Sequence, residues 1–135
     1  MQPGEVLASW TFAVEAGKIR EFARAVRDPH AETSLVAPPT FPVVASSDFV
    51  ERLVADILKL DRRRTVHGEQ AFEYVRPIVA GDRLRCTARL EGDVVKTGGR
   101  GGAMRVVTTS VEYAEEATGA PVCRETMTSI EKASA

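Results

Sequence analysis

The stretch VVASSDFVERLVADILKL, residues 43–60, decides how this chain is read. Val43, Val44, Phe49, Val50, Leu53, Val54, Ile57 and Leu58 recur at helical spacing and make one broad apolar face. Asp48, Glu51, Arg52, Asp56 and Lys59 share the other side. An apolar face that wide suits a helix largely wrapped by something else. The question is what wraps it.

Upstream, residues 9–14 read as a strand around Trp10 and Phe12, and residues 17–27 as a helix carrying Ile19, Phe22, Ala23 and Val26. Asp28 precedes Pro29 and is biased away from helical geometry. Residues 29–42 hold Pro29, Pro38, Pro39 and Pro42, which makes a loop with little freedom. Downstream of Arg64 the period becomes two. Phe72 and Tyr74 alternate with Ala71 and Glu73, while Leu84, Cys86, Ala88 and Leu90 alternate with Arg83, Arg85, Thr87 and Arg89. Ala80-Gly81-Asp82 punctuates these two strands, and Gly98, Gly99, Gly101 and Gly102 mark a hairpin. Residues 104–113 and 122–131 are the last strands, joined across Thr118-Gly119. Four strands linked by short turns imply an antiparallel sheet. Its buried face needs a cover, and only residues 43–60 are long and apolar enough. The expected class is α+β: a curved sheet around one central helix, the hot-dog architecture, spanning 1–135 as one domain.

Composition narrows the function. The 135 residues carry 18 basic and 19 acidic side chains, a net charge of -1, without the basic excess of a general nucleic-acid binder. The one basic run, Arg62-Arg63-Arg64, reads either as a solvated loop or as a phosphate contact for a CoA or phosphopantetheine arm. Cys86 and Cys123 lie in alternating apolar stretches as small sheet residues, and with no Cys/His cluster neither a metal nor a cofactor is expected. The glycine run does not follow a strand and open a helix, so it is no phosphate cradle. No basic segment followed by an apolar run opens the sequence, and no apolar stretch reaches the ~20 residues of a membrane span. A soluble, cytoplasmic protein is expected.

Three blocks carry a resemblance. They are Lys18-Ile19-Arg20-Glu21-Phe22-Ala23-Arg24-Ala25-Val26, Val36-Ala37-Pro38-Pro39-Thr40-Phe41, and Val66-His67-Gly68-Glu69-Gln70-Ala71-Phe72-Glu73-Tyr74 with the following Arg76-Pro77 and Ala80-Gly81-Asp82. In this order, over nearly the whole chain, they resemble the N-terminal hot-dog domain of MaoC-like dehydratases and the small subunits of related (3R)-hydroxyacyl-thioester dehydratases. The resemblance implies reversible hydration of a trans-2-enoyl thioester, on CoA or on acyl carrier protein. It also implies two hot-dog units side by side, as a homodimer or as a heterodimer with a catalytic subunit.

Dehydration needs a base for the proton beside the thioester carbonyl, an acid for the leaving hydroxyl, and donors for the enolate oxygen. The family's catalytic Asp and His stand in a segment of the form Gly-Asp-x-Asn-Pro-x-His. This sequence reads Arg27-Asp28-Pro29-His30 there, so Asp28 and His30 are the candidate pair, either working or vestigial. The family's enolate donor, a backbone N–H near the start of the central helix, falls at Pro38-Pro39-Thr40; proline has no N–H, which leaves Thr40 or Phe41. Val36, Phe41, Val44 and Phe49 are expected to line an acyl pocket, and His67 with Gly68 to stand at its mouth or at the subunit seam, the other reading of His67 being a structural histidine at a strand start, hydrogen-bonded to a loop. Asp48 and Glu51 admit a thioesterase reading, with a carboxylate on the central helix activating water, or simple helix capping. A non-catalytic acyl-binding module is the third possibility.

Overall fold

The computed structural model describes residues 1–134. Strand β1 spans Val6–Ala13, helix α1 Ala16–Ala25 and helix α2 Pro42–Arg52. Four further strands follow: β2 Thr65–Tyr74, β3 Arg83–Thr97, β4 Ala103–Glu115 and β5 Pro121–Glu131. All pairings are antiparallel in the order β1-β3-β4-β5-β2. The expected α+β class and curved sheet around one helix are what the chain forms.

The period-two reading of β3 holds residue by residue: Leu84, Cys86, Ala88 and Leu90 are buried, while Arg83 and Arg85 are exposed. Facing the helix beside them are Val107, Thr109, Val111 and Tyr113 of β4 and Cys123, Glu125, Met127 and Ser129 of β5. The antiparallel sheet implied by the short turns forms, with β2 at the far edge from β1 and not beside β3. Strand β2 pairs only with β5, and residues 75–82 lead from it to β3 with β4 and β5 lying between. That connection is held by Asp82, which accepts the Val79 N–H at 2.9 Å and pairs with Arg76 at 2.8 Å, while Gly81 takes a φ of 93° that suits glycine.

Helix α2 lies in the hollow of the sheet. Pro42 begins it, a position where a missing N–H costs nothing. Phe49 and Leu53 are buried on the sheet side, with Ser47, Asp48, Glu51 and Arg52 exposed on the other. Trp10 of β1 stacks on Phe49 at 5.5 Å and donates its indole N–H to the Ala45 carbonyl at 3.1 Å. The α-helical pattern expected to Leu60 gives way at Leu53–Ile57 to a π-helical turn, in which the Leu58 N–H reaches the Leu53 carbonyl. Lys59 then takes a left-handed φ of 53° and ends the element. Among the described residues no helix is long and apolar enough to cross a membrane.

Helix α1 ends at Ala25, two positions before the expected Arg27 end, and is also followed by a left-handed residue. Arg27 has φ 60°; its N–H reaches the Arg24 carbonyl and the Asp28 N–H reaches the Ala23 carbonyl. This is the two-bond cap in which glycine normally supplies the left-handed residue. Replacing Arg27 by Gly is therefore expected to raise unfolding stability by about 0.5–1 kcal/mol. Chemical denaturation of the two proteins checks this, and a loss of stability contradicts it.

Candidate functional site

The loop after α1 fixes the candidate acid–base pair. Asp28 is half-buried, and its Oδ1 accepts the backbone N–H of His30 at 2.8 Å, closing a two-residue turn of the kind aspartate favours. The His30 carbonyl accepts from Thr33 and Ser34, and its imidazole is exposed. One carboxylate oxygen is thus committed to the turn, while the other and the imidazole have no partner among the described residues.

The enolate donor narrows to one residue. The Phe41 N–H is taken by the Pro38 carbonyl at 2.9 Å, which leaves the Thr40 N–H without an intramolecular partner among the described residues. Thr40 is exposed, whereas Phe41 is buried against Phe12 and Phe22.

Beside this turn runs an apolar groove of about 420 Å³ between Val36, Ala37 and Pro39 on one bank and Tyr74, Val75 and Pro77 on the other. Val36 bridges to Val79, the Ala37 N–H reaches the Ile78 carbonyl, and the Tyr74 hydroxyl donates to the Pro39 carbonyl at 2.6 Å. Exposed Leu35, Val36, Tyr74 and Val75 form the apolar surface around it. The expected pocket residues are not gathered in one cavity of the single chain. Val36 lines this groove, Val44 lines a separate one of about 180 Å³ against α1, Phe41 is core, and Phe49 borders a void of about 10 Å³ beneath α2.

His67 is exposed near the start of β2, the strand that forms one edge of the sheet. Gly68 sits at a register shift, and a Cβ there would lie 2.9 Å from Ile130 Cδ1, the mobile end of that side chain, and 3.3 Å from the Thr128 carbonyl oxygen. Asp48 and Glu51 face solvent, with Glu51 paired to Arg62 at 2.7 Å. Arg63 and Arg64 both pair with Asp61, whose carboxyl falls to about 2, chiefly through the Arg63 hydrogen bonds. Each arginine of the run is therefore already engaged by a carboxylate.

Glu125, which the sequence reading passed over, is the most heavily buried carboxylate: 3% exposed on the hollow face of β5. It accepts from Tyr113 Oη at 2.6 Å, from Ser46 Oγ of α2 at 3.3 Å and from Gln70 Nε2 of β2. Tyr74, Cys86, Tyr113 and Cys123 are the titratable groups around it, and no cation pairs with it among the described residues. Burial outweighs its three donors and raises its pKa. The neutral carboxyl also fits: its proton can go to Tyr113 Oη while the tyrosine proton turns to the Pro42 carbonyl, 3.2 Å away. Period two gave the signal, since Glu125 lies in phase with Cys123 and Met127.

Comparison with known proteins places the chain. The FAS1-like, dehydratase domain region family matches residues 1–125. A UPF0336 protein of Saccharopolyspora erythraea is 38% identical over 140 residues, covering 93% of this chain and 86% of that protein. A UPF0336 protein of Thermobifida fusca is 43% identical over 88 residues, a match that covers 56% of this chain and 58% of the relative. Among solved structures, a MaoC-like dehydratase superposes with TM-score 0.72 at 25% identity, covering 96% of this chain and 42% of that one. The C-terminally truncated HadBC (3R-hydroxyacyl-ACP dehydratase) complex of Mycobacterium tuberculosis superposes with TM-score 0.70 at 24% identity, covering 95% and 96%, a likeness of fold.

A carboxyl whose pKa is raised by folding adds stability below its unfolded value and loses it as pH climbs through the folded value. Glu125→Gln keeps the shape and never ionises. It is expected to melt higher than the native protein at pH 8, with the gain shrinking as the pH is lowered toward 5. Thermal unfolding across that range reads it; equal or lower stability at pH 8 contradicts it.

Proposed function

This chain belongs to the FAS1-like dehydratase-region family, and from that premise we propose that it is one component of a (3R)-hydroxyacyl-thioester dehydratase, or enoyl-thioester hydratase. It works in the cytoplasm on acyl-CoA or acyl-carrier thioesters, in a hot-dog dimer with a second subunit that supplies part or all of the acid–base machinery. The family match over residues 1–125 carries the reaction class. Two features of the site support the need for a partner. One Asp28 oxygen is committed to the His30 N–H, and the groove at Val36 and Tyr74 is lined by neither Asp28 nor His30. The β2 edge, with Val66, Tyr74 and the adjoining Val75 exposed, is the surface on which the second subunit would continue the sheet.

In this reading a base takes the proton beside the thioester carbonyl, and the enolate oxygen is held by the free Thr40 N–H. An acid protonates the departing hydroxyl, which leaves as water. Asp28 and His30 are the groups of this chain suited to proton transfer. Val36, Val44 and Thr40 with His67 and Gly68 are its proposed contribution to holding substrate, while Phe41 and Phe49, expected to line the pocket, are buried in the core. The outward aspect of Asp48 and Glu51 disfavours the thioesterase reading, because neither faces the sheet.

Crotonyl-CoA hydration tests this. The purified chain alone is expected to turn over very slowly, and a partner bearing a complete Gly-Asp-x-Asn-Pro-x-His segment is expected to raise the rate by roughly 10²–10⁴-fold. Fast turnover by the chain alone, lost in Asp28→Asn or His30→Ala, would make this chain the catalytic subunit. Fast turnover that survives both substitutions would reject the dehydratase assignment of these residues.

A further inference from the structure

The gap between α2 and the sheet is where an apolar chain would be sheltered most completely, and here it is stopped. Phe49 and Val50 above and Val111 and Met127 below leave only about 10 Å³, the lower limit for one water. What stops it is polar: the Glu125 carboxyl, fixed from α2 by Ser46, from β4 by Tyr113 and from β2 by Gln70. Three strands and the helix thus converge on one group that, among the described residues, has no cation and almost no exposed surface to recommend it as a structural choice.

We infer that Glu125 determines specificity: it closes the helix–sheet gap of this chain to alkyl groups, so that the thioesters served are short-chain ones. This rests on the acyl-thioester reading above. An alkyl chain entering the gap would have to displace the Ser46 and Gln70 hydrogen bonds and lie against a carboxyl with no water to solvate it, a loss that methylene contacts do not restore. The burial-raised pKa adds that the group stays in place as a neutral hydrogen-bonding plug further up the pH scale than an exposed glutamate would. Without the plug, each additional buried methylene raises affinity about fourfold.

The test compares butyryl-CoA, decanoyl-CoA and n-decanol on the full chain in its native, Glu125→Gln and Glu125→Ala forms. Native protein and Glu125→Gln, which keeps the plug, are expected to bind the two thioesters within about threefold of each other and to show no melting shift with decanol. Glu125→Ala is expected to bind decanoyl-CoA on the order of tenfold or more tightly than the native protein, with butyryl-CoA little changed, and to be stabilised by decanol. A native protein that binds decanoyl-CoA far more tightly than butyryl-CoA overturns the inference. So does decanol stabilisation of the native or Gln forms, a readout that holds even if Glu125→Ala fails to fold. If no form binds either thioester, the thioester reading itself falls and the specificity role with it. Decanol stabilising Glu125→Ala alone would then still report that Glu125 fills the gap.

Discussion

The architecture depends on burying one face of α2 in the hollow of one sheet. Phe49 and Leu53 from the helix, Leu84 and Leu90 from β3 and Val107 from β4 are each almost wholly removed from water, and each such side chain contributes roughly 1.5–3 kcal/mol. Trp10 does two things at once, stacking on Phe49 and capping the Ala45 carbonyl, so β1 is bound to the helix by shape and by a hydrogen bond. The loop before α2 follows from this seat. Once Phe41 is packed between Phe12 and Phe22, Pro39 and Thr40 are left at the surface beside Tyr74, and the groove and the free Thr40 N–H result.

Against that apolar seat, Glu125 is a cost. A carboxylate surrounded by Tyr113, Ser46 and Gln70 gains three hydrogen bonds but loses its hydration, and a neutral group of the same shape would fit the site better. What the carboxyl supplies is position. It links the helix to β2, the strand whose outer edge is unpaired, so the helix seat and the proposed subunit seam are in mechanical contact through a single side chain.

Much of the fold was legible because it is written locally. The alternation from Arg83 to Leu90, the helical face of residues 43–60 and the turns at Gly81 and Gly98–Gly102 each announce themselves within a few residues. Less legible was whatever depends on a distant partner. Nothing between Thr65 and Tyr74 says that this strand pairs with β5, because the pairing is chosen by closure of the sheet. The left-handed Arg27 and Lys59 occupy positions where glycine would have been the signal. At the site, Asp28, His30 and Thr40 were visible as chemistry in a loop. That Phe41 spends its N–H on Pro38, that Gly68 lies close against Ile130, and that Glu125 is the buried acid are facts of packing.

In the proposed function, this hot-dog chain would present a loop, a groove and a sheet edge to an acyl thioester and a partner, over an interior closed to solvent. That function requires the chain itself to meet the thioester at that loop and groove. The most direct measurement is a titration of butyryl-CoA, a non-reacting analogue, into isotope-labelled protein, followed by amide chemical shifts. The predicted result is saturable shifts concentrated at residues 36–41, 67–68 and 74–77. Shifts confined to other regions, or none at millimolar ligand, contradict the claim.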